Sequence, residues 1–102
     1  KITGILREIN QLWGVSVPDK EAIEIIDGFV GDGYALSREH ELESLVAFSR
    51  KEGIVLDPVY TVKAYLGCLA HRHQAHRERR PAIFLHTGGI FGLFAKKESL
   101  RL

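Results

Sequence analysis

The dipeptide Asp57-Pro58 can stand at one place in a helix, its start. Proline lacks the N–H that an interior turn needs, and its ring clashes with the turn before it, so it is tolerated at the first helical position. An aspartate just ahead of it accepts hydrogen bonds from the unpaired amides of the first turn. Gly53 stands upstream and suits the left-handed position that closes a helix. One helix must therefore end before this point and another begin after it. The upstream segment agrees: Ser37 reads as the N-cap of a helix over 38–52, with Glu39 and Glu41 in its first turn. Leu42, Leu45, Val46 and Ser49 form a stripe, and Arg50 and Lys51 lie in its last turn, each charge on the favourable end of the dipole. The downstream helix is predicted to run to Arg77, and Pro81 stops the polar tail behind it.

Residues 1–13 place Ile2, Ile5, Leu6, Ile9, Leu12 and Trp13 on one helical face, and Gly14 ends that run. The β-branched stretch 23–30 reads as a strand, broken by Gly31-Asp32-Gly33; residues 82–85 read as a second, short one. His86-Thr87-Gly88-Gly89 then turns into a final helix with Phe91, Leu93 and Phe94. The order α, β, α, α, β, α predicts an α/β layered architecture with helices covering a sheet. Two strands alone make a marginal sheet, so this reading places structural partners outside the chain.

Composition fits a single domain: 102 residues, 45% hydrophobic and 26% charged. A chain of this length can bury about two-thirds of the surface its unfolded form exposes. It has no Met and starts at Lys1 inside an apolar helical pattern, so it reads as trimmed or as a piece of something longer. A net charge of +1 supplies no global field for nucleic acid or an anionic membrane. The single Cys68 cannot form an internal disulfide, which points to a reduced, cytoplasmic setting. Apolar runs such as 82–85 fall far short of the roughly 18 residues of a membrane span.

Three stretches could carry chemistry. In Ile83-Phe84-Leu85-His86-Thr87-Gly88-Gly89, a strand would feed a helix through glycines that let a flat or anionic group approach the backbone, with the Thr87 hydroxyl beside it. The same residues also make a serviceable tight turn. In Asp57-Pro58-Val59-Tyr60-Thr61, two hydroxyls sit near the positive end of a helix dipole. Alternatively, Tyr60 is a packed aromatic and Thr61 a solvated early-turn residue. In the basic run 71–80, His73 and His76 are spaced to face together as metal ligands, but no further ligand completes a set. A solvated helix end, its cations suited to the dipole, accounts for that run and leaves no metal assigned.

The stretch from Glu52-Gly53-Ile54-Val55-Leu56-Asp57-Pro58-Val59-Tyr60-Thr61 to Gly67, followed by Ile83 to Phe94, resembles the C-terminal part of the D-cysteine desulfhydrase and 1-aminocyclopropane-1-carboxylate deaminase family. Asp32-Gly33-Tyr34-Ala35-Leu36 resembles that family's Gly-Tyr segment. These are pyridoxal-phosphate enzymes of the tryptophan synthase β fold. The resemblance implies a three-layer fold-type-II architecture with a largely parallel sheet, of which residues 1–102 would be a single fragment of the cofactor-binding domain. It also implies a homodimer for the full-length enzyme and a small amino acid as substrate.

By the same resemblance, Tyr34 and Tyr60 approach the substrate side of the cofactor as candidates for binding or proton handling. Thr61 and Thr87 approach the pyridine nitrogen, and Gly88 and Gly89 belong to the cofactor loop. A hydroxyl there makes the ring a weaker electron sink than a carboxylate would. Deaminase members have Glu where this chain has Thr61 and often Leu where it has Thr87, so the pair resembles the desulfhydrase branch. Val62 replaces a usual Gly, and Ser37 a common Pro. The Schiff-base lysine and phosphate loop of the family lie in an N-terminal stretch that this chain does not contain. None of its lysines, Lys63 included, sits in that context. The resemblance thus implies a lyase releasing sulfide and ammonia from D-cysteine in the full-length protein, with a deaminase as its nearest alternative. The isolated chain is not expected to perform that chemistry. A non-catalytic remnant serving as a binding module is the alternative from another class.

Overall fold

The computed structural model describes residues 1–17, 23–79 and 81–100, apart from the side chains of Gln74 and Ala75. Its regular elements are α1 (Ile2–Trp13), α2 (Glu39–Glu52), α3 (Thr61–Arg77) and a closing 3₁₀ helix (Ile90–Ser99). Helix α1 ends as the sequence predicts: Gly14 takes a left-handed conformation and its N–H donates to the Asn10 carbonyl. Helix α2 ends the same way at Gly53, which donates to Ser49. Its start lies one residue later than expected. Arg38, with extended backbone, is the N-cap, and the Glu41 carboxylate reaches back to accept the Arg38 N–H at 2.9 Å. Ser37, expected to cap, instead donates its hydroxyl to the Pro58 carbonyl at 3.1 Å, tying the start of α2 to the start of α3.

Asp57 does cap α3. Its Oδ1 accepts the N–H groups of Val59 and Tyr60, and its Oδ2 that of Thr61, all at 2.8 Å. Residues 58–60 form a turn, and regular helix begins at Thr61. The core sits where α2 meets α3: Leu45, Val46, Leu56 and Val62 are buried, with Phe48, Tyr65, Phe84 and Leu93 packed against them. Tyr65 bridges this layer, its ring 4.5 Å from Phe48 and 6.0 Å from Phe84 between centroids. Val62 is wholly buried and serves as a core side chain.

The predicted α/β architecture, the α-β-α-α-β-α order and the parallel sheet are not what forms. Among the described residues every regular element is helical. Residues 23–30 and 82–85 are irregular segments, and no backbone hydrogen bond joins either to a neighbour among the described residues. β-branched composition makes a segment suited to a sheet, but a strand exists only where an adjacent strand receives its N–H and carbonyl groups. Neither segment meets one. The expected closing helix does form, as a 3₁₀ helix, with Phe91 and Phe94 exposed. Helix α1 buries none of its residues. The radius of gyration is 16.4 Å, against about 13 Å for a compact domain of this size. No helix among the described residues is long and apolar enough to cross a membrane.

Candidate functional site

The predicted tyrosines come together. Tyr34, from the loop between residue 30 and α2, and Tyr60, from the turn that opens α3, have ring centroids 6.0 Å apart with planes tilted by 59°. Their phenols share a hydrogen bond, which raises the Tyr60 pKa above its ordinary value; partial desolvation and the nearby Asp57 charge act in the same direction. Both rings are exposed and line an open, mainly apolar cleft of about 820 Å³. Phe29, Val30, Lys63 and Cys68 contribute to its walls. A pair of phenols on an apolar wall can bind a polar group of a small ligand and exchange a proton with it.

Thr61, Gly89 and Asp57 form a second cluster. The Thr61 hydroxyl accepts the Asp57 N–H at 2.6 Å and lies 3.4 Å from the Asp57 carbonyl. Burial pushes the Asp57 carboxyl up, but hydrogen bonds from Thr61 and from the backbone of Tyr60, Thr61 and Val59 outweigh it and hold the pKa below its ordinary value. Gly89 approaches from the 86–89 loop so closely that a Cβ there would lie 2.8 Å from the Asp57 carboxyl carbon, and its φ of +90° also favours glycine. His86 helps place that loop, its Nε2 2.9 Å from the Val55 carbonyl and its Nδ1 accepting the Gly88 N–H. The Thr-Gly-Gly turn and the Asp-Pro-Val-Tyr-Thr turn are thus neighbours. Thr87 is exposed, whereas Thr61 is only 2% exposed and does not line the cleft of the tyrosines.

The Thr61 hydroxyl takes a short hydrogen bond from the Asp57 N–H and makes only a long one with its own proton, and at 2% exposure it is turned to the Asp57 backbone. A Schiff-base lysine is not offered by Lys63, the described lysine that lines the cleft of the tyrosines. Its ammonium donates to the carbonyls of Val30 at 2.6 Å, Leu36 at 2.8 Å and Gly33 at 3.3 Å, and pairs with Glu41 at 4.0 Å.

Lys63 is the residue that sequence reasoning passed over, having weighed it only as a nucleophile. A signal was present: a cation in the first turn of a helix opposes the dipole, so something else must stabilise it there. The histidine pair of the basic run, His73 and His76, is exposed near the end of α3, and Arg80 of that run lies outside the described residues. Among the described residues no group of three or more metal-ligating side chains converges.

No family model and no solved structure matches the chain. Curated proteins do. One, from Thermotoga maritima and provisionally named 1-aminocyclopropane-1-carboxylate deaminase, is 39% identical over 88 residues, which are 86% of this chain and 27% of that protein. Another, named D-cysteine desulfhydrase, from Yersinia enterocolitica, is 36% identical over 96 residues, which are 93% of this chain and 29% of that protein. The chain therefore spans less than a third of the length of these relatives, and over that span it is related to the D-cysteine desulfhydrase and 1-aminocyclopropane-1-carboxylate deaminase family.

Proposed function

We propose that these 102 residues form one wall of the site of a pyridoxal-phosphate-dependent lyase that releases sulfide and ammonia from D-cysteine. The observation that carries this reading is the Tyr34–Tyr60 pair, which two separate family-like motifs bring together on one apolar cleft. In this reading Tyr34 and Tyr60 bind the amino acid, and the Tyr60 phenol, its pKa raised by hydrogen bonding to Tyr34, is a hydrogen-bond donor to the substrate. The Thr61 and Thr87 hydroxyls and the backbone of Gly88 and Gly89 would hold the cofactor. When bound, pyridoxal phosphate supplies the electron sink that allows a leaving group to depart from the substrate β-carbon. A neutral hydroxyl at Thr61 suits the departure of a thiolate, which needs less activation than opening a cyclopropane ring. The lysine that anchors the cofactor would lie in sequence outside these residues, and the whole enzyme would be a cytoplasmic homodimer.

A deaminase acting on 1-aminocyclopropane-1-carboxylate is the second reading, favoured by the higher identity of the Thermotoga relative. The full-length protein should take up the cofactor's visible absorbance; a protein that binds none would overturn both enzymatic readings and leave a binding module. With cofactor bound, sulfide release from D-cysteine against ammonia release from the cyclopropane substrate chooses between them. Thr61→Glu should lower sulfide release by about tenfold, equivalent to about 1.4 kcal/mol. Unchanged release from a folded variant would remove Thr61 from the cofactor site.

A further inference from the structure

The ring of Tyr34 is 78% exposed, so side-chain packing does little to hold it in place. Nor does its own segment: from Val30 to Leu36 the chain is irregular, crosses left-handed backbone at Gly31 and at Ala35, and has as its internal backbone tie a 3.3 Å contact from Leu36 to Gly33. Three carbonyls of this segment, those of Val30, Gly33 and Leu36, nevertheless converge on one point, the ammonium of Lys63. They lie before and after Tyr34 and use all three of the ammonium protons. Lys63 stands in the first turn of α3, three residues after Tyr60, and the cation that gathers the loop lines the same cleft as the ring that meets Tyr34.

Lys63 is 7% exposed and Glu41, its 4.0 Å partner, 3%. A buried cation held by carbonyls and a carboxylate is costly to leave unpaired on either side, so this arrangement is specific about where the loop lies. Gly31 leaves room for it: a Cβ there would lie 2.8 Å from the Glu41 carboxylate and 3.1 Å from the ammonium. The Ser37 hydroxyl bond to Pro58 ties the far end of the same loop.

We propose that Lys63 is the positioning residue of the tyrosine pair: its buried ammonium gathers the 30–36 loop by three carbonyls and so sets Tyr34 against Tyr60. For the catalytic consequence this rests on the reading of those tyrosines as the substrate wall; the structural consequence stands without it, and the two are read separately.

The test uses the full-length protein with Lys63→Met/Glu41→Gln, which removes both charges and leaves neither buried alone, beside the single Lys63→Met. Nuclear Overhauser contacts between the Tyr34 and Tyr60 rings report the pair, and those between Phe48 and Tyr65 report the α2–α3 core. The expected result is loss of the first with retention of the second. Contacts between Tyr34 and Tyr60 that persist in a folded variant would overturn the proposal, and so would collapse of both variants, since Lys63 would then support the fold as a whole. Where the wild type releases sulfide from D-cysteine, kcat/KM in the folded double variant should fall by about a hundredfold, the scale of a displaced catalytic group. A wild type without that activity leaves the ring contacts to decide, so failure of the enzymatic reading and failure of the Lys63 proposal are distinct results.

Discussion

Asp57 does the most with the fewest atoms. One carboxylate satisfies three amides at the start of α3, and its backbone N–H is taken by Thr61. Its folded pKa lies below the ordinary carboxylate value, so its contribution to stability is present in full above that value and is lost as pH falls through the lowered, folded one. Asp57→Ala should cost about 1–2 kcal/mol at neutral pH as the loss of a cap. Denaturant unfolding of both proteins across the acid range should show the gap narrowing below the ordinary carboxylate pKa. A gap that stays constant into strong acid would mean that the charge has no part in the cap. The cap was legible in the sequence, because Asp-Pro is a local signal and its consequence is local. The approach of Gly89 was not, since it joins residues far apart in the chain through a turn whose course depends on packing.

At the scale of elements, α2 and α3 bury side chains, whereas α1 and the closing 3₁₀ helix bury none. Leu45 of α2 is 1% exposed and sits at the meeting with α3, so Leu45→Ala should destabilise by about 2–5 kcal/mol, the range for a truncated core leucine. Helix α1 has as clear an apolar stripe in sequence, yet Ile5 is 56% exposed and no residue of α1 is buried. Ile5→Ser should therefore shift the unfolding midpoint by no more than about 0.5 kcal/mol allows. A larger loss would mean that α1 packs against the rest of the chain. Periodicity predicted both helices, and boundaries fell within a residue or so because glycine at φ near +60° ends a helix wherever it stands. The start of α2 shifted from Ser37 to Arg38 because Glu41 reaches back to one amide while Ser37 finds the Pro58 carbonyl, a choice between a local and a distant partner.

On the scale of the whole molecule, the small core and the many exposed apolar side chains, among them Ile83, Phe91 and Trp13, go with an extended shape of 48 × 31 × 26 Å. Small-angle scattering from the 102-residue chain should return a radius of gyration near 16.4 Å; a value near about 13 Å would mean that α1 folds back onto the α2–α3 core. Helix positions, the Asp57 cap, the glycine stops of α1 and α2 and the family resemblance were determined by the sequence itself, because each depends on residues within a few positions of one another. The sheet was not: composition can favour a strand, but pairing requires a neighbour, and none among the described residues joins the two candidate segments. Only the tertiary structure decided that Tyr34 and Tyr60 meet, and that Lys63 is a buried anchor instead of a solvated lysine. The physical reason is that a buried ammonium must be surrounded by acceptors, and here those acceptors are backbone carbonyls, which every residue carries and no sequence marks.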